Sequence, residues 1–199
     1  MTAMMLLAAI AGPLWAAEAI AVHLTDNAVV PLIIKGPAKA QASRMFAKLG
    51  IGLVWSNARP SETGTHRPIL IELAANTPAR LLPNALATTS LEDDRIVVFY
   101  DRIAAGSGRA APGNGEVLAH VLVHEIAHVL QGVARHSDEG IMKAQWSLAD
   151  YSQMHFQPLA FTPLDVELIQ KGAAARMQPA RESGNLLLLR SGFRLHFAP

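Results

Sequence analysis

The sequence predicts a single α+β domain, a mixed sheet followed by helices, and three observations lead to that class. Four runs rich in β-branched and aliphatic residues lie within the first hundred positions, at residues 20–26, 51–55, 67–74 and 95–100. Two helical patterns with their own start and stop signals follow them. At 199 residues, 51% hydrophobic and 17% charged, the chain can bury one proper core, and it contains neither an internal repeat nor a domain linker.

The first 19 residues, MTAMMLLAAIAGPLWAAEA, carry an apolar run and end in an A-x-A pattern at Ala17 to Ala19. They read as a signal peptide with a weak n-region, which implies a secreted or periplasmic protein. The other reading is an apolar N-terminal strand or helix of the mature domain. Gly12 and Pro13 break the run and leave it too short for a stable membrane span. Residues 20–178 then form the domain, and residues 179–199, ending NLLLLRSGFRLHFAP, form a tail of uncertain structure.

Within the domain, IAVHLTD (20–26) alternates and is expected to be a strand. Ala38, Ala42, Met45, Phe46 and Leu49 recur at helical spacing, and Gly50 sits where a helix stops. IGLVW (51–55) is the second strand, and short joints around the helix favour a parallel pair with the first. RPILIELA (67–74) and RIVVFY (95–100) are the third and fourth strands, separated by a loop-like segment with Pro78 and Pro83. A Gly-rich loop at 104–115 leads to a long helix with Asn114 as N-cap, Glu116 in its first turn and Gly132 as its left-handed stop. Thr162 followed by Pro163 opens a last helix, expected to end near Gln170, before Gly172.

The chemistry concentrates in HEIAHVLQGVARHSDEGIM, residues 124–142. On a helix, four residues advance about 400°, so His124 and His128 sit one turn apart with ~40° of offset, and their rings can meet at one point. Neutral imidazole nitrogens are good zinc ligands, at about 2.0–2.1 Å. Glu125 is turned roughly 100° from His124, where its carboxylate reaches a water rather than the metal. This HExxH arrangement lets a metal acidify water while Glu125 accepts the proton as the water attacks a carbonyl. The rest of the helix is apolar, which makes uncompensated histidines costly and a metal a natural compensation. The competing reading is a core helix with hydrogen-bonded histidines.

A catalytic zinc needs a third protein ligand and an open position. From Gly132 to His136 the chain takes four steps, at most ~14 Å, enough to double back under the metal. His136 is the expected third ligand. Asp138 is its rival, or an outer acceptor for a ligand ring, and Asp150 is a weaker rival.

HExxH, a turning glycine, a third histidine and then Gly140, Ile141 and Met142 together resemble the metzincin zinc peptidases. The resemblance implies a Met-turn whose Met142 packs beneath the histidines. It also implies a twisted mixed sheet over the active-site helix, with C-terminal helices, and an edge strand lining the cleft. Three residues precede Gly132 and three follow it before His136, so this loop is two residues longer than the metzincin pattern. The run is also similar to a group of little-characterised bacterial proteins with HEIGHLLLG…HS…GIM…W patterns, over most of the chain to about Arg176. Residues 95–100 come last before the helix and are the expected edge strand, with an ordinary core strand as the equal alternative.

Other residues invite roles with less support. His120 continues the histidine stripe upstream and is expected to be an outer partner or a satisfied surface residue. Tyr151 could donate to an oxyanion, or be a half-buried helix tyrosine. Trp146 is expected to pack, and Arg135 and His155 have no assignable place. HSD at 136–138 has no accompanying G-x-S-x-G elbow, which sets aside a serine triad.

The sequence therefore points to a zinc-dependent peptidase, an endopeptidase, with Zn2+ as cofactor and a peptide or protein as substrate. The alternative is a non-catalytic zinc-containing binding or structural protein of the cell envelope. The absence of cysteine excludes disulfides and thiolate chemistry. A net charge of +1 offers no electrostatic footprint for nucleic acid. Oligomeric state is not legible in the sequence.

Overall fold

The computed structural model describes residues 19–58, 67–81, 84–106 and 113–178. Residues 1–18 of the expected signal peptide and the tail from residue 179 lie outside the described residues, as do Pro83 and much of the Gly-rich loop, while Ala19, the last residue of that expected leader, is the first of the described strand. The elements are β1 (Ala19–Asp26), α1 (Leu32–Ala47), β2 (Gly52–Ser56), β3 (Ile69–Ala74), β4 (Ala87–Ser90), β5 (Arg95–Phe99), α2 (Tyr100–Gly106), α3 (Asn114–Gln131), α4 (Leu148–Phe156) and α5 (Pro163–Met177).

The architecture is α+β, with five strands in the order β2-β1-β3-β5-β4. β1, β2, β3 and β5 run parallel, and β4 is antiparallel to β5. One face carries Ile20, Val22, Leu24, Ile69, Ile71, Leu73, Ile96 and Val98, all buried in the core. On the other face Glu72 accepts from Asn27 and Arg95 in bonds open to solvent. A sheet wet on one side explains why its strands alternate rather than read as continuous apolar runs.

The strand at 95–100 ends one residue early, because Tyr100 already begins α2, a helix the sequence did not announce. More important, it is not the edge. β5 lies between β3 and β4, and the edge is β4, four residues of sequence ATTS. A strand this short and polar has no apolar alternation to detect. The β4–β5 turn closes with Asp94 at φ 52°, a left-handed position that aspartate tolerates. Its buried carboxylate is tied to Arg176 of α5 and faces Arg67 at 3.5 Å.

α3 is the buried axis of the domain. Thirteen consecutive or near-consecutive residues from Val117 to Leu130 are buried, His120, His124 and His128 among them. Gly113, not Asn114, is its N-cap, and no side chain caps it, since Asn114 is already helical. Glu116 does lie in the first turn. Gly132 ends the helix as expected, at φ 67°, with its N–H donating to the His128 carbonyl at 3.0 Å. Gly50 likewise turns the chain after α1, at φ 79°.

α5 starts with a full capping box between Thr162 and Asp165, with Pro163 at its first position. It does not end before Gly172 but continues to Met177. Glycine serves here for proximity rather than termination. A Cβ at 172 would lie 1.6 Å from the Leu130 carbonyl oxygen, so α5 can rest on the end of α3 only where no side chain intervenes. Gly172→Ala is therefore expected to lower stability by about 1–3 kcal/mol, the usual range for overpacking. Urea unfolding of the two proteins at one pH measures this, and an unchanged midpoint would refute the contact.

Candidate metal centre

Two properties of α3 bring the site together. The one-turn spacing stacks His124 over His128, and the core around the helix leaves their rings few rotamers. Their Nε2 atoms are 3.0 Å apart. The third ring comes from the loop beyond Gly132, with the centroid of His136 4.9 Å from that of His128 and 5.4 Å from that of His124. One nitrogen from each ring falls within 4.8 Å of the others, a spacing that lets the three hold one metal ion.

Proton placement argues for that ion. His124 Nδ1 is 2.8 Å from the Ile141 carbonyl, and His128 Nδ1 is 3.3 Å from the Val133 carbonyl. A carbonyl oxygen only accepts, so both Nδ1 atoms carry the hydrogen and both Nε2 atoms present lone pairs. Two acceptors 3.0 Å apart cannot bond to each other. A cation held by both would turn that repulsion into coordination, and the carbonyls would then be the outer partners that orient the two histidines. The donor set thus fits a metal that prefers nitrogen.

His120 obeys the same logic with the opposite result. Its Nδ1 donates to the Glu116 carbonyl at 2.6 Å, and its Nε2 accepts from the Leu159 N–H at 3.1 Å. Both nitrogens are used, so no lone pair remains for a ligand. It is fully buried, which corrects the expectation of a surface residue.

Glu125 lies on the neighbouring face of α3 and, with His124 and His136, lines a cleft to which Leu86, Ala87, Lys143, Trp146 and Tyr151 also contribute. Thr89 of β4 donates its hydroxyl to Glu125 Oε2 at 2.5 Å. Burial pushes the Glu125 carboxyl up, while that hydroxyl and the nearby rings of His128 and His136 pull it back. Thr89 was invisible in the sequence because nothing there marked β4 as a strand.

The G-I-M turn is locked by its backbone. Gly140 adopts φ 73°, and a Cβ there would sit 2.2 Å from the Ala160 carbonyl oxygen, so only glycine fits. Ile141 N–H donates to that same carbonyl, and Ser137 N–H donates to the Met142 carbonyl. Met142 is fully buried in the core, directly after the carbonyl that holds His124. Trp146 packs edge-on against His124 at 5.7 Å and also donates to the Ile141 carbonyl. It therefore packs and lines the cleft at once.

The remaining candidates fall elsewhere. Asp138 is exposed and outside the three-histidine group. Asp150 completes the capping box of α4 and pairs with Lys143 at 2.5 Å, which leaves it no ligand role. Tyr151 is a half-buried helix residue on the cleft wall, edge-on to Trp146, and burial raises its phenol pKa so that it remains a donor. His155 is exposed, beside Phe156, and lines a separate depression. Arg135 reaches the buried Asp165 of α5, a partner the sequence did not suggest.

Burial pulls the imidazolium pKa of both His124 and His128 from 6.5 down to about 4. Between those values the unfolded chain binds more protons than the folded one, so stability is full above the upper value and lost as pH falls towards the lower. The raised Glu125 carboxyl works in the opposite sense over its own range. Metal-free protein is expected to lose stability as pH falls from 6.5 to about 4. A His124→Gln, His128→Gln double variant is expected to show a flatter dependence in urea titrations over that window. Equal slopes would contradict it.

No family model matches the chain, and a search of curated proteins finds no match either. Among the described residues, no helix is long and apolar enough to cross a membrane.

Proposed function

We propose that this chain is a zinc-dependent peptidase, acting within peptide chains, that works outside the cytoplasm. The observation that carries the reading is the pair of Nε2 lone pairs facing each other at 3.0 Å, with His136 as third donor and Glu125 beside them in an open cleft. His124, His128 and His136 would hold the ion and leave one position for water, as in catalytic rather than structural zinc sites. When bound, the ion would supply Lewis acidity, acidifying water and polarising a carbonyl.

The protein's own groups do the rest. Glu125 accepts a proton at its carboxylate and hands it to the leaving amine, and its burial favours both by bringing the carboxyl towards neutrality. Thr89 holds Oε2, leaving the other oxygen free for that traffic. β4 pairs with β5 alone among the described strands, and its Leu86–Ala87 end borders the cleft. An extended peptide can add to that free edge by main-chain hydrogen bonds, with residues running on to either side, which supports an endopeptidase. The metzincin-like reading of the motif agrees with a sheet whose antiparallel edge strand meets the active-site helix. Export rests on the leader sequence.

Glu125→Gln is expected to retain zinc and lose peptide hydrolysis, by roughly 10²-fold or more for loss of a general base. His136→Ala is expected to bind zinc more weakly in chelator competition. Chelator-sensitive cleavage of a diverse peptide library by wild type supports an enzyme. Zinc binding without any cleavage would favour a non-catalytic zinc protein. Thr89→Val removes a bond that lowers the Glu125 pKa, so the acid limb of the kcat/KM profile is expected to move to higher pH. A limb that stays in place or moves down would exclude Thr89 from tuning the base.

A further inference from the structure

His136 is the exposed member of the three ligands and the one that does not ride on a helix. Val133, which precedes it in the return loop, is 43% exposed and gives the loop little packing. Yet the residues on either side of His136 converge on one group. Arg135 Nη1 donates to Asp165 Oδ1 at 2.6 Å, and the Ser137 hydroxyl donates to the same carboxylate at 2.8 and 2.9 Å. Arg135 Nη2 also donates to the Ser137 hydroxyl at 3.1 Å, closing the triangle.

Asp165 is fully buried at the third position of α5. Its other oxygen accepts from the Thr162 N–H at 3.0 Å and hydroxyl at 2.7 Å. The helix N-terminus and Arg135 keep it ionised in that dry place. His136 stands between these two residues in the chain, so its backbone is held on both sides. Holding Arg135 and Ser137 on Asp165 therefore limits where the His136 ring can go, and the ring lies beside those of His124 and His128.

We propose that Asp165 is a positioning residue for the third ligand. Through Arg135 and Ser137 it clamps the return loop so that the His136 imidazole meets those of His124 and His128. The inference rests on the metal-binding reading of the three histidines. It goes further in making the site depend on a carboxylate that is itself no ligand and lies about thirty positions downstream of the loop. A helix-capping role alone would not involve Arg135 or Ser137, and a surface ion pair would not be buried on the carboxylate side.

The test is a double-mutant cycle read by zinc affinity, with peptide cleavage left out. Replacing both Arg135→Gln and Ser137→Ala opens the clamp and leaves the α5 cap in place. Zinc affinity in chelator competition is expected to fall by roughly 10–100-fold, the range for outer partners of a metal site. In a His136→Ala background the same pair is expected to have little further effect, because the ligand it positions is gone. Thr162→Ala weakens the cap and lowers Tm, and is expected to leave zinc affinity near that of wild type. The d–d spectrum of the Co2+-loaded double variant should match that of His136→Ala.

Wild-type zinc affinity in the double variant would overturn the proposal. So would an equal loss in both backgrounds, which would mark a general structural role. If the double variant does not fold, Ser137→Ala alone, in both backgrounds, is expected to repeat the pattern with a smaller loss. Failure of the underlying reading looks different: wild type would take up no zinc, or His136→Ala would bind as well as wild type.

Discussion

Two protons hold the site together, the Nδ1 hydrogens of His124 and His128. Each is committed to a backbone carbonyl, Ile141 for one and Val133 for the other, and those commitments force both Nε2 lone pairs towards the same point. The rings could escape this arrangement only by turning, and burial within α3 and its neighbours prevents that. The G-I-M turn matters for the same reason. It delivers the Ile141 carbonyl to His124, and Gly140 can form it against Ala160 because it has no Cβ. His120 shows the contrast within one helix: a histidine with both nitrogens bonded internally is structural, whatever its place in the stripe.

The sheet and helices form a mount around that constraint. One sheet face packs the core while the other stays wet, so the helices gather on one side and α3 is covered nearly all round. The antiparallel edge strand then arrives next to the Glu125 face of α3 and supplies Thr89 to Glu125. Behind α3, Gly172 lets α5 approach to backbone distance, and α5 brings Asp165 under the return loop. Each contact is local in space and remote in sequence. A carboxylate buried on α3 would ordinarily cost stability. Here the Thr89 hydroxyl and the nearby rings lower that cost, at the expense of making the Glu125 carboxyl sensitive to its neighbours.

Periodicity and punctuation in the chain foretold much of this. The strands β1, β2, β3 and β5, the parallel pairing of the first two, the burial of Ala38, Ala42, Met45 and Phe46 on α1, the stop at Gly132 and the Thr162–Pro163 start all follow from short-range rules of spacing, capping and backbone freedom. The grouping of His124, His128 and His136 was equally legible, since helix geometry fixes the first pair and chain reach bounds the third. Elsewhere the local pattern is ambiguous. Gly172 looked like a stop and proved to be a contact, and RIVVFY looked like an edge because the polar ATTS segment hid the strand beyond it.

By itself, then, the sequence determined which residues can share a helical turn, where helices begin and stop, and which faces are apolar, because those depend on a few neighbouring positions. Only the tertiary structure decided that β4 is the edge, that Thr89 meets Glu125, that His120 is spent on Glu116 and Leu159, and that Arg135 and Ser137 converge on Asp165. Those outcomes depend on which distant surfaces bury one another. A hydroxyl or carboxylate carries no mark, in the sequence, of the partner that burial will bring to it.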